Sequence, residues 1–455
     1  MNKSFIFKVI GIFLLTILMS WAVMYVNSII LERQQRQFEA RTNINHSVAR
    51  EQTVIGPVLV VPYVVEYPEK IGSENNTQIV TRRYDGKVYI LPEDLNLKGG
   101  FSNELKSLGI FKTLVYQLSS NIDGHFKIPK NLGLKLDHDS ATLKTKDAYI
   151  SLGISDTRGL TGKPIFNWNG QAINFAQGSK IDELGNGMHA SVQELNTEEQ
   201  TIAFDFRLNL RGTESFNLIP IAENNMVALK SSWQSPHFYG SFSPDAATQK
   251  IDKSGFTANW AISSLSSNNQ SVLTENLKHG GKLDLEKLSV GFVEPINVYS
   301  QADRATKYGL LFIGLTFAGF FIFEILKQLR IHPAQYTLVG LAMALFYLLL
   351  ISLAEQIGFG FAYLAASIAC VSLLGYYLSY VLKSKTNGFV FASLLAALYG
   401  ALYGILKSED NALIMGSLLV FGLLTLIMVI TRKVDWYQIS SKPELPQTHS
   451  AYDVV

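Results

Sequence analysis

Apolar residues are distributed very unevenly along this chain. Six nearly uncharged stretches stand out, Val9 to Leu31, Tyr308 to Leu326, Tyr336 to Leu353, Gly358 to Leu382, Phe389 to Leu406 and Ala412 to Thr431, each long enough to cross a bilayer as a helix. Between the first and second, residues 32–307 change period. Runs such as "GPVLVVPYVVEY", "GKVYILPEDLNL", "AYISLGISD", "TIAFDFRLNLRG" and "SVGFVEPINVY" are rich in Val, Ile, Tyr and Phe, partly alternate, and are broken by Gly, Pro, Asn and Asp. That is the pattern of β-strands. Helical periodicity is scarce there except in residues 32–50, a polar run expected to carry the first span outward as a stalk. Asp85-Gly86 and Asp123-Gly124, each followed by a strand and a Pro, read as turns.

The expected fold is an α+β membrane protein with six transmembrane helices in total. It comprises an N-terminal anchor (9–31) after a short terminus (1–8), a large β-rich domain (32–307), a C-terminal five-helix bundle (308–326, 336–353, 358–382, 389–406, 412–431) and a tail (432–455). Of 455 residues 48% are hydrophobic and 17% charged, and the net charge is +2. Such a balance marks no basic nucleic-acid surface, so the expected partners are the lipid bilayer and a periplasmic or inner-membrane protein or cell-wall component.

Charge orients the spans. Lys3 and Lys8 precede the first, Lys327 and Arg330 separate the second and third, Lys383 and Lys385 the fourth and fifth, and Arg432 and Lys433 follow the sixth. The alternate connections carry little positive charge, so both termini are expected inside and the large domain outside. Ser20-Trp21-Ala22 resembles a signal-peptide cleavage site. The apolar run continues past it to Leu31, which favours a retained anchor. The single cysteine, Cys370, excludes an intrachain disulfide and reads as a packing residue.

Catalytic motifs are missing: there is no Gly-x-Ser-x-Gly, no phosphate-binding loop and no His-Glu-x-x-His. "GNGMHA" from Gly185 lacks the strand and helix of a dinucleotide site, Asp137-His138-Asp139 reads as a solvated hairpin tip, and "HGG" from His279 has no serine partner. No enzyme activity, cofactor or metal is expected. The spans keep their charges at their edges, with Glu324 and Lys327 spaced as a helix-surface ion pair and Glu355 at the opposite face of the membrane. Ala392, Ala396, Gly400 and Gly404 form a small-residue ladder, expected to be a close helix interface at the bundle centre. Outside the membrane, Asp156 and Arg158 share a face and read as a brace for the turn at Gly159. Glu294 and Arg304 are expected to fix the domain on the second span. His332 precedes Pro333, which disfavours a helical conformation there and so breaks the chain before the third span.

Six stretches together resemble the CreD family of bacterial inner-membrane proteins: "REQTVIGPVLVVPY", "GISDTRGL", "SSWQSPHFYGSF", "GFTANWAI", Val290 to Glu324 and His332 to Ala366. The resemblance runs nearly the whole chain in order and departs mainly in the polar loop "SSNNQSVLTENLKHGG". It implies an inner-membrane protein linked to cell-envelope integrity and to a two-component response to envelope stress, with no catalytic residue. The expected role is binding or bracing a partner; transport or lipid handling by the helix bundle is the alternative.

Overall fold

The computed structural model describes residues 3–71, 78–136, 138, 140–281, 283–292, 297–327, 331–408 and 411–432. The chain divides into two compact units, residues 38–295 and, joined from both sides of it, residues 1–37 with 296–455. The boundary therefore lies inside the expected stalk at one end and before residue 307 at the other.

In the first unit the described strands form a nine-stranded and an eight-stranded sheet. Strand β1 (Gln52–Ile71) is central in the nine-stranded sheet. It pairs in parallel with Ser215–Ile219 and antiparallel with Tyr149–Ile154 and β2 (Gln78–Ile90). Strands β3 (Asp94–Leu108) and β4 (Phe111–Ile128) form a long hairpin within the eight-stranded sheet, flanked by Asn224–Ser231 and Gln200–Thr213. Val54, Leu59, Val61 and Leu152 from one sheet and Leu97, Leu118, Phe126 and Leu208 from the other share one core, so the sheets pack face to face. The far side of the nine-stranded sheet is also covered. Ile55, Val58 and Val60 meet Leu273 and Leu277 of helix α2 (Asn269–His279).

Coverage on both faces explains the uninterrupted apolar run of β1, because every side chain from Val58 to Val61 is buried whichever way it points. Gln200–Thr213, with solvent on one side, alternates buried and exposed along most of its length. The polar loop expected around Asn269 is instead α2. Leu273 and Leu277 lie one turn apart on its buried face, and the Asn269 amide donates to the Pro220 and Glu286 carbonyls at 3.0 and 2.8 Å while accepting from the Glu286 N–H at 2.8 Å.

The Asp-Gly pairs are not turns. Gly86 lies directly opposite Tyr63 within the β1–β2 ribbon, and Gly124 opposite Phe204. A Cβ at Gly86 would run into the Tyr63 ring, and one at Gly124 would run first into the Asp94 carbonyl oxygen and then meet the Phe204 ring at 2.9 Å, so the first glycine makes room for an aromatic ring and the second for a neighbouring backbone and a ring together.

The second unit holds helix α1 (Lys3–Ser47) as far as Gln37, then α3 (Val298–Lys307), α4 (Gly309–Leu326), α5 (Pro333–Ile357), α6 (Phe359–Val381), α7 (Lys385–Lys407) and α8 (Ala412–Thr431). Among the described residues four helices, α1, α5, α6 and α7, are long and apolar enough to cross a membrane. The pair α3 and α4, bent by 42°, makes a fifth, and α8 contributes a shorter apolar stretch, Ile414–Val429. Buried Met19, Val23, Val26 and Ile30 form a stripe on α1 at spacings of four, three and four. Gly309 and Gly340 let that stripe approach, since a Cβ on either would crowd Val23 or Met19.

Candidate functional site

Ionisable groups in the membrane unit gather at the two ends of α5. At one end Glu324, on the last turn of α4, is buried with its side chain 6% exposed. Its Oε1 accepts from the Lys8 ammonium and from the Ile331 N–H at 3.1 Å, and its Oε2 accepts from the Tyr336 hydroxyl at 3.0 Å. Lys8 donates also to the Ile331 carbonyl at 3.2 Å. The ion pair expected with Lys327 does not form; Lys327 is exposed and the partner comes from α1. A carboxylate drawn into an apolar setting needs its cation and several hydrogen bonds at once, and Lys8 with Tyr336 and Ile331 meets that need where a surface Lys327 would not.

The other end repeats the chemistry. Glu355, 11% exposed, accepts from the Tyr299 hydroxyl of α3 at 3.0 Å and lies 3.8 Å from Arg33 of α1. Tyr336 and Glu355 are 19 residues apart on one helix, about 29 Å. Two cation–carboxylate–tyrosine closures thus fasten α1 to the bundle, with the Thr306–Asn27 side-chain bond at 2.7 Å and the Asn297–Gln37 bond at 3.0 Å adding to the hold.

His332 is the N-cap of α5. Its Nδ1 accepts from the Ala334 N–H at 3.2 Å while Gln335 Oε1 accepts from the His332 N–H at 3.1 Å, a reciprocal box that starts the helix at Pro333. Arg304 lies half-buried on α3, and Lys307 beside it pairs with Asp303 at 2.7 Å. Glu294 and Arg330 lie outside the described residues, as do Asp137 and Asp139; His138 between the latter stacks on Tyr67 at 4.4 Å.

The small-residue ladder on α7 packs closely only at its first step, where a Cβ on Gly375 of α6 would meet the Ala392 Cβ at 2.8 Å. Ala396 and Gly400 are exposed, and a Cβ on Gly400 would find no described atom within 4 Å. The tightly packed face of α7 is instead Phe391, Leu395, Tyr399 and Leu402, because large rings fill the bundle and leave the small side turned outward. Ala396 and Gly400, with Ser367, Ser372 and Tyr403, line a cavity of about 860 Å³ between α6 and α7. At Gly404, next on the ladder, a Cβ would make only ordinary contact with Met415 of α8, at 3.5 Å. Cys370 packs beside this region, 3.4 Å from the Tyr399 hydroxyl.

In the β-unit, Asp156 caps a short turn, Thr157–Gly159. Its carboxylate accepts from Arg158 Nε at 2.8 Å and Nη2 at 2.5 Å, from the Arg158 N–H at 3.2 Å and from the Arg50 N–H at 3.2 Å. Arg158 Nη1 in turn donates to the His46 carbonyl at 2.8 Å on the last turn of α1. Gln52 donates to the Asp156 and Arg211 carbonyls at 3.0 and 3.2 Å, and Gly159 fits under it with no room for a side chain. The Arg158 guanidinium holds the Asp156 carboxyl at about 2, well below its ordinary value. The pair therefore ties the end of α1 to the start of β1. Sequence spacing located the pair, but His46 and Arg50, more than a hundred residues away, carried no local signal.

In the membrane unit the geometry is one of closure: Glu324 and Glu355 each have a cation and at least one hydrogen-bond donor. Over residues 4–437 the chain matches the family described as inner membrane protein CreD. A curated relative, the inner membrane protein CreD of Escherichia coli (strain K12), is 32% identical over 466 aligned positions that span 100% of this chain and 98% of the relative. With both matches running nearly end to end, the chain belongs to the CreD family of inner membrane proteins.

Proposed function

We propose that this inner membrane protein supports cell-envelope integrity within an envelope-stress response, by presenting its β-domain to a periplasmic or membrane partner rather than by catalysis. The observation that carries the reading is the double closure of α1: Lys8–Glu324–Tyr336 and Arg33–Glu355–Tyr299 satisfy the buried carboxylates with fixed partners. A carboxylate engaged in this way suits a rigid support better than a titrating relay. The excess of lysine and arginine in alternate connections supports cytoplasmic termini and a periplasmic β-domain. The test is loss of the gene in its host, which should sensitise cells to detergent and to cell-wall inhibitors, with rescue by the wild-type chain. Undiminished resistance sinks the role. Topology is checked separately in a Cys370→Ala background, where Thr201→Cys should react with an impermeant maleimide in intact spheroplasts.

The cavity between α6 and α7 favours a second reading, lipid or solute handling. Liposomes carrying the pure protein and a labelled lipid distinguish the two, since movement of the label would favour the second.

A further inference from the structure

The outer face of the eight-stranded sheet carries a second feature that the membrane-support reading does not use. Register aligns its side chains in rows. Asn121 lies opposite Lys98 and Arg207, and in the next row Gly100 lies opposite Lys230 and Ser119, Lys230 opposite Thr257 and Ser119 opposite Asn209. Side chains on these rows all point away from the core. Together they line a concavity of about 640 Å³. Gly100 gives it its depth, for the described atoms nearest to a Cβ there all belong to Lys230, with Cε at 3.6 Å. A second hollow of about 420 Å³ continues it through Gly100, Lys230 and Thr257.

Three cations share this floor. Lys98, Arg207 and Lys230 are exposed and have no ion-pair partner among the described residues. The carboxylates nearest in the sheet are engaged by other groups: Asp123 and Asp205, one row beyond Lys98 and Arg207, accept from the Asn96 and Asn167 amides at 2.9 and 2.8 Å, and Asp252, which lines the second hollow, pairs with Lys250 at 3.2 Å. Lys98 and Lys230 are diagonal neighbours on adjacent strands, a spacing at which like charges repel. Lys98 and Arg207 stand two strand widths apart, about 10 Å. Between the cations are hydroxyls and amides, Ser119, Asn121, Asn209 and Thr257, and no aromatic ring lines the first hollow.

We propose that this face binds an extended anionic glycan, a hydroxyl-rich polymer whose sugars carry carboxylates. Separated cations match separated acidic groups, the intervening amides and hydroxyls match sugar hydroxyls, and the absence of a ring platform argues against a neutral sugar held by stacking. The site rests on the reading that the β-domain meets a partner, and names its chemistry. Binding is measured with the full chain in detergent micelles, so its outcome does not depend on membrane orientation or on the envelope phenotype.

The probes are polygalacturonate, neutral dextran and polyglutamate. Polygalacturonate should bind, weaken with added salt, and lose about tenfold in affinity in the triple variant K98Q/R207Q/K230Q at an unchanged melting temperature. Gly100→Gln, which fills the hollow without altering charge, should weaken it as well and serves if the triple variant melts early. Failure of polygalacturonate to bind, equal binding of dextran, polyglutamate binding as tightly as polygalacturonate, or full affinity in both variants would each overturn the proposal.

Discussion

Asp156→Asn isolates the charge at the junction of α1 and β1 while keeping an oxygen for the turn. The folded carboxyl is held at about 2 against an ordinary 3.8, so the charged form is favoured in the folded state. That difference corresponds to at most about 2.5 kcal/mol. Arg158 is 52% exposed and solvent screens it, whereas Asp156 is 12% exposed. About 1 to 1.5 kcal/mol is the discounted expectation. Because the folded value lies below the unfolded one, this stability is complete above about pH 5, declines as pH falls through 4 and 3, and is gone below about 2. Thermal unfolding of the full chain in detergent, followed by the β-sheet circular dichroism signal at a series of pH values, should show wild type and variant separated near neutrality and converging in acid. A separation that persists undiminished to pH 2.5, or none at neutrality, would refute the assignment of this stability to the Asp156–Arg158 pair.

Other outcomes follow from the same geometry. Lys8→Met should destabilise the helix bundle in detergent melts by about 2 kcal/mol, since it strips a buried carboxylate of its cation, and the double change K8M/E324M should recover part of that loss. Leu273→Ala should cost the β-domain about 3 kcal/mol of denaturant stability by opening a cavity under α2; a loss under 1 kcal/mol would mean that the helix barely contributes. Gly400→Leu, which a close helix interface would not tolerate, should leave the melting temperature unchanged, because the side chain projects into the α6–α7 cavity. A fall of several degrees would return that face of α7 to the packed interior.

Much of the architecture is legible as pattern. Alternation in "TIAFDFRLNLRG" reports a sheet with one wet face, the unbroken "GPVLVV" a strand covered twice, and His332-Pro333 the start of a helix. What the sequence conceals are pairings across long separations. Glu324 sits three residues from Lys327, so the near partner is the obvious one, yet the actual cation is 316 positions away. The ladder from Ala392 to Gly404 shows that small residues permit close approach without requiring it. On α7 the neighbouring Phe391, Leu395 and Tyr399 stripe took the interior. Helix α2 is hidden by its polar composition, for Leu273 and Leu277 are its buried apolar anchors and the Asn269 and Gln270 amides bond it to neighbouring carbonyls. The basic hollow has no linear signature at all, because Lys98, Arg207 and Lys230 meet only through strand register.

Strand β1 has a consequence for biosynthesis. It is among the first segments of the β-domain to be made, yet one of its partners, Ser215–Ile219, follows about 150 residues later and is itself edged by Leu288–Phe292. An emerging chain therefore cannot complete the nine-stranded sheet until almost the entire domain has left the ribosome, just ahead of α3. Until then an apolar strand waits with unsatisfied backbone groups on one side, a state open to mispairing. Pausing or chaperoning during synthesis would act on that interval, and premature termination anywhere before residue 288 should yield aggregated fragments rather than a smaller soluble fold.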